Sequence, residues 1–436
     1  MAVRFKRDVY LKRLIDRQDN GLVKIITGTR RAGKSTLLNT IFYDYLINNG
    51  TDPDHIIKFA FDSDEDLDLL GDQIISNDKV DAKRFRTYLK SLTNDHDKFY
   101  IFLDEVQLLD NFVGTLNSLL RHPNFDIYVT GSNSKFLSSD IVTEFKGRGS
   151  EIHVLPLTFS EYAKDMDISI DKAWREYIEF GGIPLVALFK TREEKVDYLK
   201  NLVNEVYIKD IIERHNIKKT SELADVFDIL ASLMGTYVNP SKIANTFDSL
   251  LHTKLSKETI DQYITYFVEA FLINKVKRYN VKGRKIISTP YKIYFEDVGI
   301  RNARLNFHQI EETHIMENII YNELRYRGLD IDVGEVNVYK KTDRKDVNNK
   351  DIYAVKTLEV DFIATKGDLR YYIQSALSLS DEDKIRQEKR SLLNIDDSFK
   401  KVIITKNGLN IHRDDKGIIT MDLFDFLMDK DSLEKS

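Results

Sequence analysis

The chain has 436 residues, which at roughly 150 residues per domain suggests about three domains, and its 42% apolar and 31% charged content excludes disorder throughout. With 65 Lys and Arg against 70 Asp and Glu, the net charge is -5, so any attraction to nucleic acid must come from a local patch. The absence of cysteine excludes disulfide frameworks, Cys-ligated zinc, iron–sulfur clusters and thiol nucleophiles.

The N-terminal stretch carries charges every few residues and no apolar h-region, and no run approaches the roughly 18 apolar residues that cross a bilayer, so a cytoplasmic, non-membrane protein is expected. Residues 5–17 predict a short amphipathic helix, and Asn20-Gly21 a turn before a buried strand over 22–27. Further strands are predicted over 56–61, 99–103 and 126–130, with helices near 35–48, 82–92 and 110–121. Strands alternating with helices imply a parallel α/β sheet. A short strand over 151–155 closes this region before Pro156.

From 159 to about 235 helices follow one another, interrupted at Gly181-Gly182 and Pro184. Two helices, the second with Ser256 as its N-cap, and two β-like runs at 273–279 and 285–288 then give the order of a winged helix. The last region begins with a helix over 314–326 and continues with strands near 331–339, 358–364 and 369–375; the charge-dense stretch 340–356 reads as a mobile loop. The expected domains are 1–157, 158–235, 236–300 and 301–436.

The run Gly28-Thr29-Arg30-Arg31-Ala32-Gly33-Lys34-Ser35, followed by Thr36, fits G-x-x-x-x-G-K-[ST] between a predicted strand and a predicted helix. Such a loop curls its N–H groups around a β-phosphate, with Lys34 reaching the β/γ-phosphates and the Ser35 hydroxyl ligating Mg²⁺. The apolar run Phe99–Leu103 ends in Asp104-Glu105, where the first acid can hold the Mg²⁺ shell and the second can activate a water. A strand at 56–61 between the two motifs, and the lack of an N-K-x-D sequence, point to ATP rather than GTP. After the strand 126–130, Thr130, Ser132 or Asn133 can sense a γ-phosphate or hold the attacking water; capping of the next helix is the other reading. Arg148, between Gly147 and Gly149, can act as a finger toward a phosphate of this subunit or a neighbour's, or as a solvated surface arginine.

The combination GTRRAGKST, FYIFLDEVQ, YVTGSNSKFLSS, GRGSEIHVLPLTFSEY and EFGGIPLV resembles the AAA-type ATPases of bacteria and archaea in which an AAA-14 domain is joined to a DUF4143 domain. The resemblance covers nearly the whole chain and implies a P-loop ATPase core of AAA+ type with a parallel sheet, a winged-helix middle and an α/β nuclease-like end. The biological role of that family is itself poorly defined.

In the second helix of the winged-helix region Lys257 is outnumbered by Glu258, Asp261 and Glu269, which suits phosphate contact poorly. The hairpin instead gathers Lys275, Lys277, Arg278, Lys282, Arg284 and Lys285 with no acid among them, a basic wing able to hold a DNA backbone. At the C-terminal end, Glu317, Asp361 and Gln374 match three positions of a PD-(D/E)xK nuclease core, but Ala376 stands where its lysine belongs, with Lys366 the nearest substitute. The expectation is a Mg²⁺-dependent ATPase that moves a winged helix and an inactive nuclease-like module, oligomeric if Arg148 acts between subunits. A nucleotide-loaded switch and an ATP-gated nuclease are the alternatives.

Overall fold

Val23–Thr27 (β1) is buried at all five positions, as a strand covered on both faces must be, and it is an interior strand of a five-stranded parallel sheet. Its companions are Ile56–Ala60 (β2), Phe99–Asp104 (β5), Phe125–Thr130 (β6) and Gly149–His153 (β7), in the order β2-β5-β6-β1-β7. Two short strands, Ile75–Ser76 (β3) and Lys79–Val80 (β4), pair with each other, and Val80 also forms a single bridge to Leu109. The strand lying between the phosphate-loop strand and the acidic strand is thus β6; β2, which precedes the acidic strand in the sequence, sits at the edge beyond β5. Ile101, Leu103, Ile127 and Val129 face a core with Phe59 and Phe85, while Phe102 and Tyr128 turn to the other side and pack on Phe42. This is the period-2 alternation of a sheet covered by helices on both faces.

The computed structural model describes residues 5–435 other than 73, 77–78, 95, 132–146, 251–252, 346–350, 407 and 409–410. The chain forms two units, Met1–Pro156 with Glu269–Phe271, and Leu157–Val268 with Leu272–Ser436. The second unit is built on a nine-stranded mixed sheet. Its strands are Tyr237–Val238 (β8), Ile273–Asn280 (β9), Lys285–Phe295 (β10), Asp330–Lys345 (β11), Asp351–Lys366 (β12), Leu369–Ala376 (β13), Lys400–Thr405 (β14), His412–Arg413 (β15) and Ile418–Asp422 (β16), in the order β15-β16-β14-β13-β12-β11-β9-β10-β8. The hairpin β9–β10 therefore shares a sheet with the C-terminal strands, because β9 pairs in parallel with β11. The boundary expected at residue 300 falls inside this unit.

Within the stretch 340–356, expected as a loop, residues 340–345 and 351–356 are extended instead: β11 runs to Lys345 and β12 starts at Asp351, with pairs from Asp330↔Thr365 to Lys345↔Asp351. Charge density hid a ladder that keeps its register down to Lys341↔Tyr353.

Gly181-Gly182 and the segment around Asp297 hold the second unit together by close approach. A Cβ at Gly182 would lie 2.1 Å from the Leu157 carbonyl oxygen, and one at Gly299 would lie 2.0 Å from the Phe180 carbonyl oxygen. Asp297, buried, accepts hydrogen bonds from the N–H groups of Gly182 (2.6 Å) and Ile300 (3.0 Å). Glycine is needed here because backbone meets backbone. Among the described residues no helix is long and apolar enough to cross a membrane.

Candidate nucleotide site

The loop after β1 is curled by backbone conformations that L side chains resist: φ is +131° at Gly28, +66° at Arg31 and +92° at Gly33. A Cβ at Gly28 would meet the Val154 carbonyl oxygen at 2.1 Å, so this position accepts glycine alone. Thr29 and Ala32 are fully buried, and Arg31, Ser35 and Thr36 are exposed. Helix begins at Lys34, with Gly33 as its left-handed cap. The Lys34 ammonium folds back over the loop and donates to the carbonyl oxygens of Gly28 (2.9 Å) and Thr29 (3.0 Å).

Asp104 closes β5 on the same sheet edge, and its carboxylate is held by neutral donors. Oδ1 accepts from the Thr130 hydroxyl and from the Glu105 N–H (3.1 Å), and Oδ2 accepts from Asn39 Nδ2 at 3.4 Å. Asn39 lies on the helix that follows the phosphate loop, so this contact brings the two motifs together. Glu105 adopts a left-handed backbone (φ +49°), and its carboxylate accepts from Gln107 Nε2. Thr130, read in the sequence as a phosphate sensor, is fully buried with its hydroxyl turned onto Asp104. Asn133 lies outside the described residues, as does Ser132.

Arg148 is placed differently from the expectation for its own subunit. The Val23 N–H donates to its carbonyl at 2.9 Å, where β1 and β7 both begin, and its guanidinium donates to Asn117 Oδ1 at 3.3 Å. Five residues of strand, about 16 Å, separate that edge from the one carrying Gly28 and Asp104. Arg148 cannot serve this chain's own phosphate loop from there.

Asp62 was missed by the sequence reading. It lies two residues beyond β2, whose Ala60 pairs with Asp104. Partial burial, then the charges of Glu105 and Asp104, raise its carboxyl above the ordinary aspartate value. An acid just past a strand that neighbours the acidic strand was the available signal.

In the second unit, Glu317 and Asp361 are both buried, but they surround an ammonium. Lys292, from β10, lies 2.9 Å from Glu317 Oε1 and 2.6 Å from Glu359 Oε1, and the Tyr294 hydroxyl donates to Glu317 Oε1 at 2.6 Å. Burial alone would lower the Lys292 ammonium, yet the Glu317, Asp361 and Glu359 carboxylates hold it above its ordinary value. Burial and then the Glu317 charge push the Asp361 carboxyl well up, and its Oδ2 accepts from the Ser375 N–H at 2.7 Å. Gln374 accepts from the Ser391 hydroxyl (3.5 Å). Lys366, the expected substitute lysine, is exposed and donates to the Arg327 carbonyl (3.2 Å), away from this cluster. Two members of the basic wing are also engaged internally: Arg278 donates to Glu335, Thr289 and Pro290, and the Lys275 ammonium sits 3.9 Å from the centre of the Tyr291 ring.

Two family models match the chain: an AAA domain (AAA_14) over residues 20–163, and a domain of unknown function (DUF8612) over residues 171–311. The second domain matched is thus DUF8612, where the sequence reading expected DUF4143. An uncharacterized protein of Haemophilus influenzae is 33% identical over 92% of each chain, and one of Methanocaldococcus jannaschii is 29% identical over 88% of this chain and 80% of its own. Among solved structures, Aeropyrum pernix ORC1 in complex with DNA matches 70% of this chain and 94% of its own at 11% identity and a TM-score of 0.34. AMPPCP-bound DnaA from Aquifex aeolicus matches 61% and 88% at 14% identity and a TM-score of 0.28. With a relative 33% identical over nearly its whole length, this chain, which joins an AAA-type P-loop domain to a second unit, belongs to the family of the Haemophilus influenzae protein.

Proposed function

We propose that the chain is a Mg²⁺-dependent ATPase. The observation that carries this reading is the meeting of a glycine-only loop with an oriented carboxylate: Gly28 has no room for a Cβ, and Asp104 is fixed by Thr130, the Glu105 N–H and Asn39. Residues Gly28 to Thr36 would hold the ATP phosphates, with Lys34 exchanging the carbonyls of Gly28 and Thr29 for phosphate oxygens. Ser35 and Asp104 would hold Mg²⁺, whose chemistry when bound is neutralisation of phosphate charge. Glu105 would take a proton from water, with the Gln107 amide holding its carboxylate.

Arg148, on the far sheet edge, fits a role toward a neighbouring copy, which makes the active form an oligomer. Hydrolysis would then reposition the second unit, whose exposed wing residues Lys277, Lys282, Arg284 and Lys285 suit a DNA backbone. A nuclease role is disfavoured, because the Lys292 ammonium already takes up the Glu317 and Glu359 carboxylates. ATP hydrolysis measured across protein concentrations tests the reading. The specific rate should rise with concentration, and Arg148→Ala should flatten that rise; a Lys34→Ala variant as active as wild type would refute the ATPase assignment itself.

A further inference from the structure

We propose that the β9–β10 and β11–β12 hairpins form one bipartite surface that grips duplex DNA through its phosphate backbone. This rests on the reading above that the wing contacts DNA, and it adds a second, longer arm that the sequence had concealed as a loop.

The register places both hairpins on one end of the nine-stranded sheet. Strands β9 and β11 are parallel, paired Val333↔Arg278, Gly334↔Tyr279 and Glu335↔Asn280, so β9 reaches its turn at the level where β11 leaves the sheet. The Val281 N–H donates to the Glu335 carbonyl at 2.9 Å, and Arg278 pairs with the Glu335 carboxylate. Beyond Glu335, β11 pairs with β12 alone, from Val336↔Leu358 to Lys345↔Asp351. Past Val338, the ribbon from Tyr339 to Lys345 extends about 24 Å. The bases of the two hairpins share one apolar cluster, in which Tyr279 and Val281 of the wing pack with Val336, Val338 and Leu358 of the ribbon. The arms are therefore anchored together.

Charge identifies the occupant. The wing carries Lys277, Lys282, Arg284 and Lys285 exposed, with no acid between Lys275 and Ser288. The ribbon strands 336–345 and 351–358 hold five basic residues, Lys340, Lys341, Arg344, Lys345 and Lys356, against Asp343 and Asp351. Both arms are cationic on a chain whose net charge is -5. They also expose unusual apolar area: Tyr339 is 66% exposed, its cross-strand partner Val355 56% and Ile286 60%. A two-stranded ribbon fits the major groove of a duplex, and cationic strands flanking it suit the two phosphate walls.

Fluorescence anisotropy with a labelled 30-base-pair duplex, using the full chain over 50–300 mM salt, tests this. Lys340→Gln, Lys341→Gln and Lys356→Gln together should weaken binding about tenfold and reduce the salt slope by about 0.9 per charge removed, while Arg at the same three positions should preserve it. Lys282→Gln, Arg284→Gln and Lys285→Gln should act in the same direction, independently. If the wing set weakens binding and the ribbon set does not, this inference falls and the wing reading stands. If neither set matters, both fall. Equal or tighter binding of a single strand of the same length overturns the duplex assignment. Ribbon variants that change the sedimentation of the protein but not its DNA affinity would assign the arm to a second copy and overturn the proposal.

Discussion

The two units each set carboxylates beside a lysine, and they put them to opposite ends. At the phosphate loop, Lys34 donates to two main-chain carbonyls, and Asp104 accepts from the Thr130 hydroxyl, the Glu105 N–H and the Asn39 amide. In the nine-stranded sheet, Lys292 leans on Glu317 and Glu359 at 3% exposure, and its charge is consumed inside the fold. The difference teaches that an inventory of acids and a lysine does not make a site. What matters is whether a phosphate or metal can displace the partners already there: a carbonyl dipole yields to phosphate far more readily than a buried carboxylate yields its ammonium.

The largest expected effect that sharpens this contrast lies at Asp104. Asp104→Ala should lower ATP turnover by about 10²–10³, measured by phosphate release, with about 1–3 kcal/mol of stability lost through the buried Thr130 hydroxyl it leaves without an acceptor. Lys292→Met should do the reverse. Removing the cation from the buried Glu317 and Asp361 and the half-buried Glu359 should cost the second unit about 3–5 kcal/mol in urea denaturation, while turnover per folded molecule falls little. Adding Glu317→Gln should recover part of that loss; a Lys292→Met protein as stable as wild type would break the comparison.

A pH effect of intermediate size is expected at Asp297. Burial raises its carboxyl to about 6 despite the Gly182, Ile300 and Gly299 N–H groups, so the folded chain binds its proton more tightly than the unfolded chain does. The contribution of Asp297 to stability is therefore greatest at low pH and declines as pH rises from about 4 through 6. The difference in unfolding free energy between wild type and Asp297→Asn should fall by about 1.4 kcal/mol per pH unit across that window. A flat difference would mean that the N–H donors outweigh burial. The smallest effect belongs to Asp62: Asp62→Asn should change turnover by about threefold to tenfold through the field at Asp104 and Glu105, and should shift the acid limb of the pH–rate profile.

What the sequence disclosed was what is local. Gly28 to Ser35 and Phe99 to Glu105 announce themselves because each motif is contiguous and its chemistry depends on neighbours in the chain. The partners of those motifs were hidden for the complementary reason. Asn39 and Thr130 reach Asp104, and Asp62 approaches it, only through the register of β2, β5 and β6, which periodicity does not specify. Arg148 looked like a finger because its flanking glycines suit a loop; the parallel pairing of β7 with β1 puts it at the wrong edge for its own chain. Lys292 sat unnoticed in an ordinary strand, since the carboxylates it neutralises come from a helix and from β12. The paired residues 340–345 and 351–356 read as a loop because their dense charge shows no apolar alternation.

The most direct test of the account is the Glu105→Gln variant, assayed for ATP hydrolysis and for binding of a fluorescent ATP analogue under the same Mg²⁺ conditions. Loss of turnover by about 10²–10⁴ with binding retained would match a carboxylate that activates water beside an intact phosphate loop. Turnover equal to wild type would contradict the account, and the reading of Asp104-Glu105 as the hydrolytic pair would have to be abandoned.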